Sequence, residues 1–346
     1  MNDKNFEWII SVLKNKIPDF LPDPYEIIGF CEYHRVAGLV YNRAKKLKIN
    51  LHPKIEKSLK EAYLKQKRKR ALFKDHVKEI AKKLNEIGGE YVFLKGTVFN
   101  YSDEFVFYEP GERGANDVDI LTEQKHVGKV ENALKDIGFT QGRFNLDSGE
   151  IVPFSRAEIL NRRLNRGEVA PFVKKTGDPE FPFIEVDVNF SLGNTPNEYE
   201  DVIRDILKTR LNESGDFPAR LPDKERFLIH LILHQYKEST LYFMVERGKD
   251  SDLYKLADIY YLLNSGAIDK IKLNELIKKY DIEKEFAVVA GQIYECFGGD
   301  YAMFFPRGNV AQPPVYDYYN KRAYTFCKSV YKRITECAGT EALKEI

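Results

Sequence analysis

Apolar residues recur every three to four positions through the first quarter of the chain, alternate strictly in parts of the middle, and return to helical spacing towards the end. The first pattern predicts helices over "FEWIISVL", "PYEIIGFCEYHRVAGLVYNRAKKL" and "LKEAYLKQKRKRALFKDHVKEIAKKLNEIGG", the last stopped by Gly-Gly. Near residue 90 the period changes. "EYVFLKG" reads as a short strand, "YEPGERGAN" as a loop, and "DVDIL" as a second strand. Thr122 is expected to cap the helix "EQKHVGKVENALKDIG", which Gly138 ends. "FPFIEVDVNFSL" is the clearest alternating segment. From about residue 205 helices resume: "ERFLIHLILHQYKE", "DLYKLADIYYLL", "LNELIKKYDIEKEFAVVAGQIYECF" and a tyrosine-rich tail. In that tail Tyr316, Tyr319, Ala323, Cys327, Val330 and Ile334 make an approximate helical stripe. The prediction is an α+β protein with a small mixed sheet: an N-terminal helical region at 1–88, a core at 89–204 and a C-terminal helical region at 205–346.

The strand "DVDIL" begins with two like charges. Strand side chains alternate faces, so Asp117 and Asp119 point one way while Val118 and Ile120 point the other. Carboxylates held this close repel unless a cation lies between them, and they are the oxygen donors that Mg²⁺ prefers. An isolated D-x-D is nevertheless common as a solvated strand end. In "IEVDVNF", Glu185, Asp187 and Asn189 share one face. If this strand neighbours "DVDIL", Asp187 becomes a third carboxylate, and three carboxylates around two divalent ions suit phosphoryl chemistry. Upstream, Gly96 and Thr97 follow a strand, where a close-approaching backbone and a hydroxyl can face phosphate. Lys95 offers a point charge, and Arg113 offers a fork four residues before Asp117.

Composition narrows the class. Among 346 residues, 31 % are charged and 43 % hydrophobic, and the net charge is +1. This reads as a soluble protein without the broad basic surface of a duplex-DNA binder. No run reaches the ~18 apolar residues of a membrane span, and "MNDKNFEWII" lacks signal-peptide features, so a cytoplasmic location and no membrane partner are expected. The four cysteines show no C-x-x-C spacing. The runs "KQKRKR" and "RRLNR" read as solvated helix faces, although the second lies between the two candidate strands.

The stretch "FLKGTVFNYSDEFVFYEPGERGANDVDIL" resembles the L-K-G, R-x-x-x-D-x-D-[IL]-L signature of a bacterial nucleotidyltransferase family within the DNA polymerase β superfamily. "EYHRVAGLVYNRAKKL", "LHQYKE" and "DLYKLADIYYLL" extend the likeness over most of residues 30–265. It implies a polymerase β-like core, Asp117, Asp119 and Asp187 as catalytic carboxylates holding two Mg²⁺ or Mn²⁺ ions, and Lys95, Gly96, Thr97 and Arg113 at the nucleotide. Thr97 stands where the superfamily usually has serine or a second glycine, and Asn189 where a histidine is often found. The implied activity moves NMP or dNMP from a triphosphate, ATP or dATP as first guess, to a hydroxyl with pyrophosphate release. The architecture also resembles the nucleotidyltransferases of Hailong-type anti-phage defence systems. That likeness implies a short single-stranded oligonucleotide product and an effector protein encoded nearby.

The acceptor stays open at this stage. Tyr318, Tyr324 and Tyr331 fall off the tail's apolar stripe and are candidate acceptors for self-priming, or they are surface tyrosines packing their rings. Two other readings compete: transfer of one nucleotide to a protein or small molecule, and a catalytically inactive binding or antitoxin-like module. His230 and His234, four apart on a helix, and His34 are read as structural.

Overall fold

The computed structural model describes residues 1–88, 90–196, 198–212, 217–299 and 312–346. They divide into two compact units, one of Met1–Lys65 with Leu228–Ile346 and one of Gln66–Phe227.

The unit of Gln66–Phe227 is built on a six-stranded mixed sheet flanked by helices. Its strands are β1 (Tyr91–Leu94), β2 (Asp117–Thr122), β3 (Thr140–Asn145), β4 (Glu150–Pro153), β5 (Phe172–Lys175) and β6 (Phe183–Asn189), in the order β1-β2-β6-β5-β3-β4. β2 and β6 run parallel in the middle, and every other pair is antiparallel. The alternation read from "IEVDVNF" is the alternation observed. Ile184, Val186 and Val188 are buried, and Glu185, Asp187 and Asn189 are half-buried on the other face. Short helix α5 (Lys95–Tyr101) follows β1, α6 (Val127–Asp136) joins β2 to β3, α7 (Arg156–Arg166) joins β4 to β5, and α8 (Glu200–Lys208) follows β6. Thr122 does not cap α6. It is the last residue of β2, and its hydroxyl donates to the Glu90 carbonyl at 2.5 Å. The chain passes first through a 3₁₀ turn, and α6 starts without a side-chain cap.

The other unit is mainly helical. It holds α1 (Asp3–Leu13), α2 (Pro24–Tyr33), α3 (Ala37–Lys46), the start of the 34-residue α4 (Pro53–Glu86), most of α9 (Lys224–Thr240), and α10 (Tyr242–Glu246) to α13 (Glu283–Phe297), with α11 at Leu253–Asn264 and α12 at Lys270–Lys279. The single predicted helix over 24–47 is two, because Arg35 turns the chain at φ 56°. The tyrosine-rich tail is not a helix. It forms β7 (Val315–Asp317), β8 (Arg322–Phe326), helix α14 (Val330–Thr335) and β9 (Leu343–Glu345), and the three strands make one antiparallel sheet. Asp317 explains the difference, since its carboxylate accepts from the Tyr319 and Asn320 amides at 3.0 Å and closes a tight turn with Lys321 at φ 55°.

His34 predicts that this unit loses stability in acid. It is fully buried, its Nδ1 accepts from the Leu253 amide at 3.3 Å, and its Nε2 donates to the Ile334 carbonyl at 3.2 Å. Both bonds suit the neutral ring, and burial holds its pKa down at about 4 against an ordinary 6.5. A depressed pKa means that the unfolded chain binds the proton more readily. The associated stability, about 3 kcal/mol, is therefore present above pH 6.5 and lost as pH falls towards 4. Melting temperatures from pH 7.5 to 4.5 should fall more steeply for the wild type than for His34→Gln. Equal slopes would show that His34 is not the acid trigger.

Candidate active site

The parallel pairing of β2 with β6 places Asp117 opposite Glu185 and Asp119 opposite Asp187. Each carboxylate lies on the same face of its strand, so Asp117, Asp119 and Asp187 bring carboxylate oxygens within 4.8 Å of one another. Asp119 is buried at 1 % exposure. Burial, with Asp117 beside it, pushes its pKa up to about 6, although Lys95 and Arg113 pull the other way. Asp187 is raised well above the carboxylate range, first by burial and then by Asp117, Asp119 and Glu185. Hard oxygen donors this close, with their charges this poorly neutralised, form a set that divalent cations fit.

Lys95 belongs to the cluster itself. Its Nζ donates to Asp119 Oδ1 at 2.6 Å. Burial works to lower its pKa, and the charges of Asp119, Asp117 and Asp187 outweigh that and raise it. Its backbone sits at φ 46°, a conformation that non-glycine residues rarely adopt, at the junction where β1 becomes α5. Next to it, Gly96 is required by close approach, because a Cβ there would stand 2.7 Å from the Ala115 Cβ. Thr97 is buried, and its hydroxyl finds no protein partner among the described residues. Arg113 is half-buried, donates to the Gly114 carbonyl, and lies close enough for its charge to act on Asp119. Thus all seven residues picked from the motif occupy one end of the β1, β2 and β6 strands.

One support was invisible in the sequence. The run "KQKRKR" is not simply a solvated face, because its residues from 66 onward pack on the loop that leads into β2. Gln66 Oε1 would lie 2.8 Å from a Cβ at Gly114, and the Lys69 ammonium donates to Asn116 Oδ1 at 2.8 Å. Arg68 pairs with Glu180 at 2.7 Å, and Tyr101 of α5 donates to the Arg70 carbonyl at 3.2 Å. α4 therefore braces both segments that carry the motif. No spacing rule connects residues 66–70 with 113–116, so sequence alone gave no signal of it.

A second acidic group, Glu90, Glu123 and His126, sits at the opposite end of β1 and β2. Arg210 lies 3.8 Å from Glu90, and Lys125 pairs with Glu123, so cations already meet its charges. The candidate tyrosines belong to the other unit. Tyr318 is 61 % exposed, the Tyr324 ring lies tilted against that of Tyr242 with centroids 5.0 Å apart, and Tyr331 donates to Asp3 at 2.7 Å. His230 is buried and His234 faces Glu238 at 3.6 Å; neither joins a metal-ligand group among the described residues. All four cysteines are free thiols, and no described helix is long and apolar enough to cross a membrane.

A mixed sheet with flanking helices, carrying this carboxylate cluster beside a glycine turn, has the architecture of a nucleotidyltransferase core. A family model described as an uncharacterised nucleotidyltransferase matches residues 22–298, and the chain belongs to that family. No curated protein matches the chain, and no solved structure does.

Proposed function

We propose that the protein transfers a nucleoside monophosphate from a nucleoside triphosphate to a hydroxyl, releasing pyrophosphate. The observation that carries this reading is the in-register pairing of β2 with β6, which gathers Asp117, Asp119 and Asp187. These three residues would hold Mg²⁺ or Mn²⁺, in a pair of ions. When bound, the metal supplies Lewis acidity, lowering the pKa of the attacking hydroxyl and neutralising phosphate charge. The hydroxyl oxygen forms a bond to the α-phosphorus as the α–β phosphoanhydride bond breaks. Its proton passes to water, and pyrophosphate leaves.

The chain's own groups place the reactants. Gly96 lets the backbone come close to the phosphates, and the unpartnered Thr97 hydroxyl is available to them. Lys95 and Arg113 set positive charge beside Asp119, on the side where a triphosphate adds negative charge. Asp187, contributed by the other strand, serves the attacking hydroxyl more than the triphosphate.

In this reading the product is a short oligonucleotide made without a template, with ATP or dATP as first donor. From the resemblance of the motif we place that product in anti-phage signalling, read by an effector encoded nearby. Among the candidate primers Tyr318 is favoured by its exposure, whereas the Tyr331 hydroxyl is engaged by Asp3. Incubation with each α-labelled ribo- and deoxyribonucleotide, resolved on nucleic-acid and protein gels, tests the product. A ladder that disappears in Asp117→Asn, Asp119→Asn supports oligonucleotide synthesis. Label arrested at one nucleotide on an added target supports single transfer instead, and no carboxylate-dependent label leaves only the binding-module reading.

A further inference from the structure

We propose that α7 and the β3–β4 hairpin before it form the track along which a single-stranded nucleic-acid acceptor leaves the active site. This rests on the nucleotidyl-transfer reading and names its acceptor.

The first observation is where α7 is anchored. Its C-terminal end returns directly to β6: the Val169 amide donates to the Val188 carbonyl, and the Phe190 amide donates to the Gly167 carbonyl, both at 2.9 Å. Glu168 bridges Asn189, which shares a face with Asp187, and Arg162 lies 3.7 Å from Glu168. The charge of Arg162 also reaches Glu185, the register partner of Asp117. Arg162 is therefore at the border of the carboxylate face.

The second observation is charge. Across the chain 54 basic residues balance 53 acidic ones, yet the charged side chains described on α7 are Arg156, Arg162 and Arg163 against Glu158 alone, with Arg163 engaged by Glu131. A strand whose end sits at the α-phosphorus carries a phosphate at every nucleotide as it departs. Asp117, Asp119, Asp187 and Glu185 repel it, and a cationic helix beginning beside them is the complementary path.

The third observation is the surface of α7 itself. None of its described side chains is buried. Arg156, Leu160 and Leu164 follow one another at intervals of four on one face, and the two leucines are 44 % and 70 % exposed. The Arg162 guanidinium lies 5.5 Å from the Phe154 ring centre, and the hairpin exposes Leu146 at 76 %. Guanidinium groups interleaved with apolar and aromatic surface suit a single strand, whose phosphates pair with arginine while base faces cover the apolar groups. A duplex would need a broader basic surface than this chain has.

The test uses the full-length protein and needs no turnover. Anisotropy of a fluorescein-labelled oligoadenylate of about twelve nucleotides, in ribo and deoxy forms, is measured against salt. Relative to wild type, Arg156→Glu, Arg162→Gln should bind at least about tenfold more weakly, and the slope of log affinity against log salt should be shallower by about 1.4. Arg156→Gln alone, at an exposed position, should bind about threefold more weakly with a slope shallower by about 0.7, and it guards against misfolding of the double variant. Wild type that binds neither strand, or variants with unchanged affinity and slope, would overturn the proposal. A protein acceptor would appear in that way. Metal-dependent ATP binding, followed by thermal shift in the same samples, is a separate reading: its absence counts against nucleotidyl transfer, while its retention without strand binding removes the track alone.

Discussion

Asp187→Asn is expected to slow nucleotide incorporation by at least about a thousandfold while changing triphosphate affinity less than about threefold. The substitution keeps the shape of the side chain and removes its charge at the position opposite Asp119. Folding is not the cause of the loss. Burial first, and then Asp117, Asp119 and Glu185, push the Asp187 carboxyl towards its protonated form, so a neutral amide relieves both desolvation and repulsion in the folded chain. The variant should therefore melt at the wild-type temperature or higher. Single-turnover incorporation beside equilibrium ATP binding checks the split. An active Asp187→Asn protein would remove this residue from the chemistry.

Arg333→Met is expected to destabilise the mainly helical unit by about 3–5 kcal/mol. Arg333 and Asp250 form an ion pair with neither side chain exposed, and Arg333 also donates to Gln312 at 3.0 Å and lies 3.6 Å over the Phe326 ring. Even with the arginine present, burial pushes Asp250 up to about 6. Removing Arg333 leaves a buried carboxylate without its counter-charge, which must take a proton or open the fold. The double variant Arg333→Met, Asp250→Leu should regain most of the loss, because neither charge is then stranded. In the single variant the deficit should shrink as the pH falls and the Asp250 carboxyl protonates. Chemical denaturation of the three variants tests this, and a loss under about 1 kcal/mol in Arg333→Met would show that the pair is not a structural tie.

What could be read beforehand follows from periodicity. The period-two pattern of "IEVDVNF" is enforced by burying Ile184, Val186 and Val188, so the face of Asp187 was legible, as was the shared face of Asp117 and Asp119. Which strands would be neighbours rested on a motif, and the exact register was beyond the sequence. Long-range braces were also out of reach, since Lys69 meets Asn116 across 47 residues. The tail misled for a local reason. Its apolar residues fit a loose helical stripe, but Val315–Asp317 and Arg322–Phe326 are rich in β-branched and aromatic residues, and Asp317 closes the turn between them. The break after α2 was similarly hidden, because nothing in "YHRVAG" announces a left-handed arginine.

Nucleotidyl transfer itself is tested most directly by following two labels on one nucleotide. With ATP labelled at the α-phosphate in one sample and the γ-phosphate in another, both with Mn²⁺, the α-label should enter the acceptor. The γ-label should leave as pyrophosphate in equal amount, and both signals should vanish in Asp117→Asn, Asp119→Asn. Transfer of the γ-label to the acceptor, or release of orthophosphate while the α-label stays in ADP, would contradict the account.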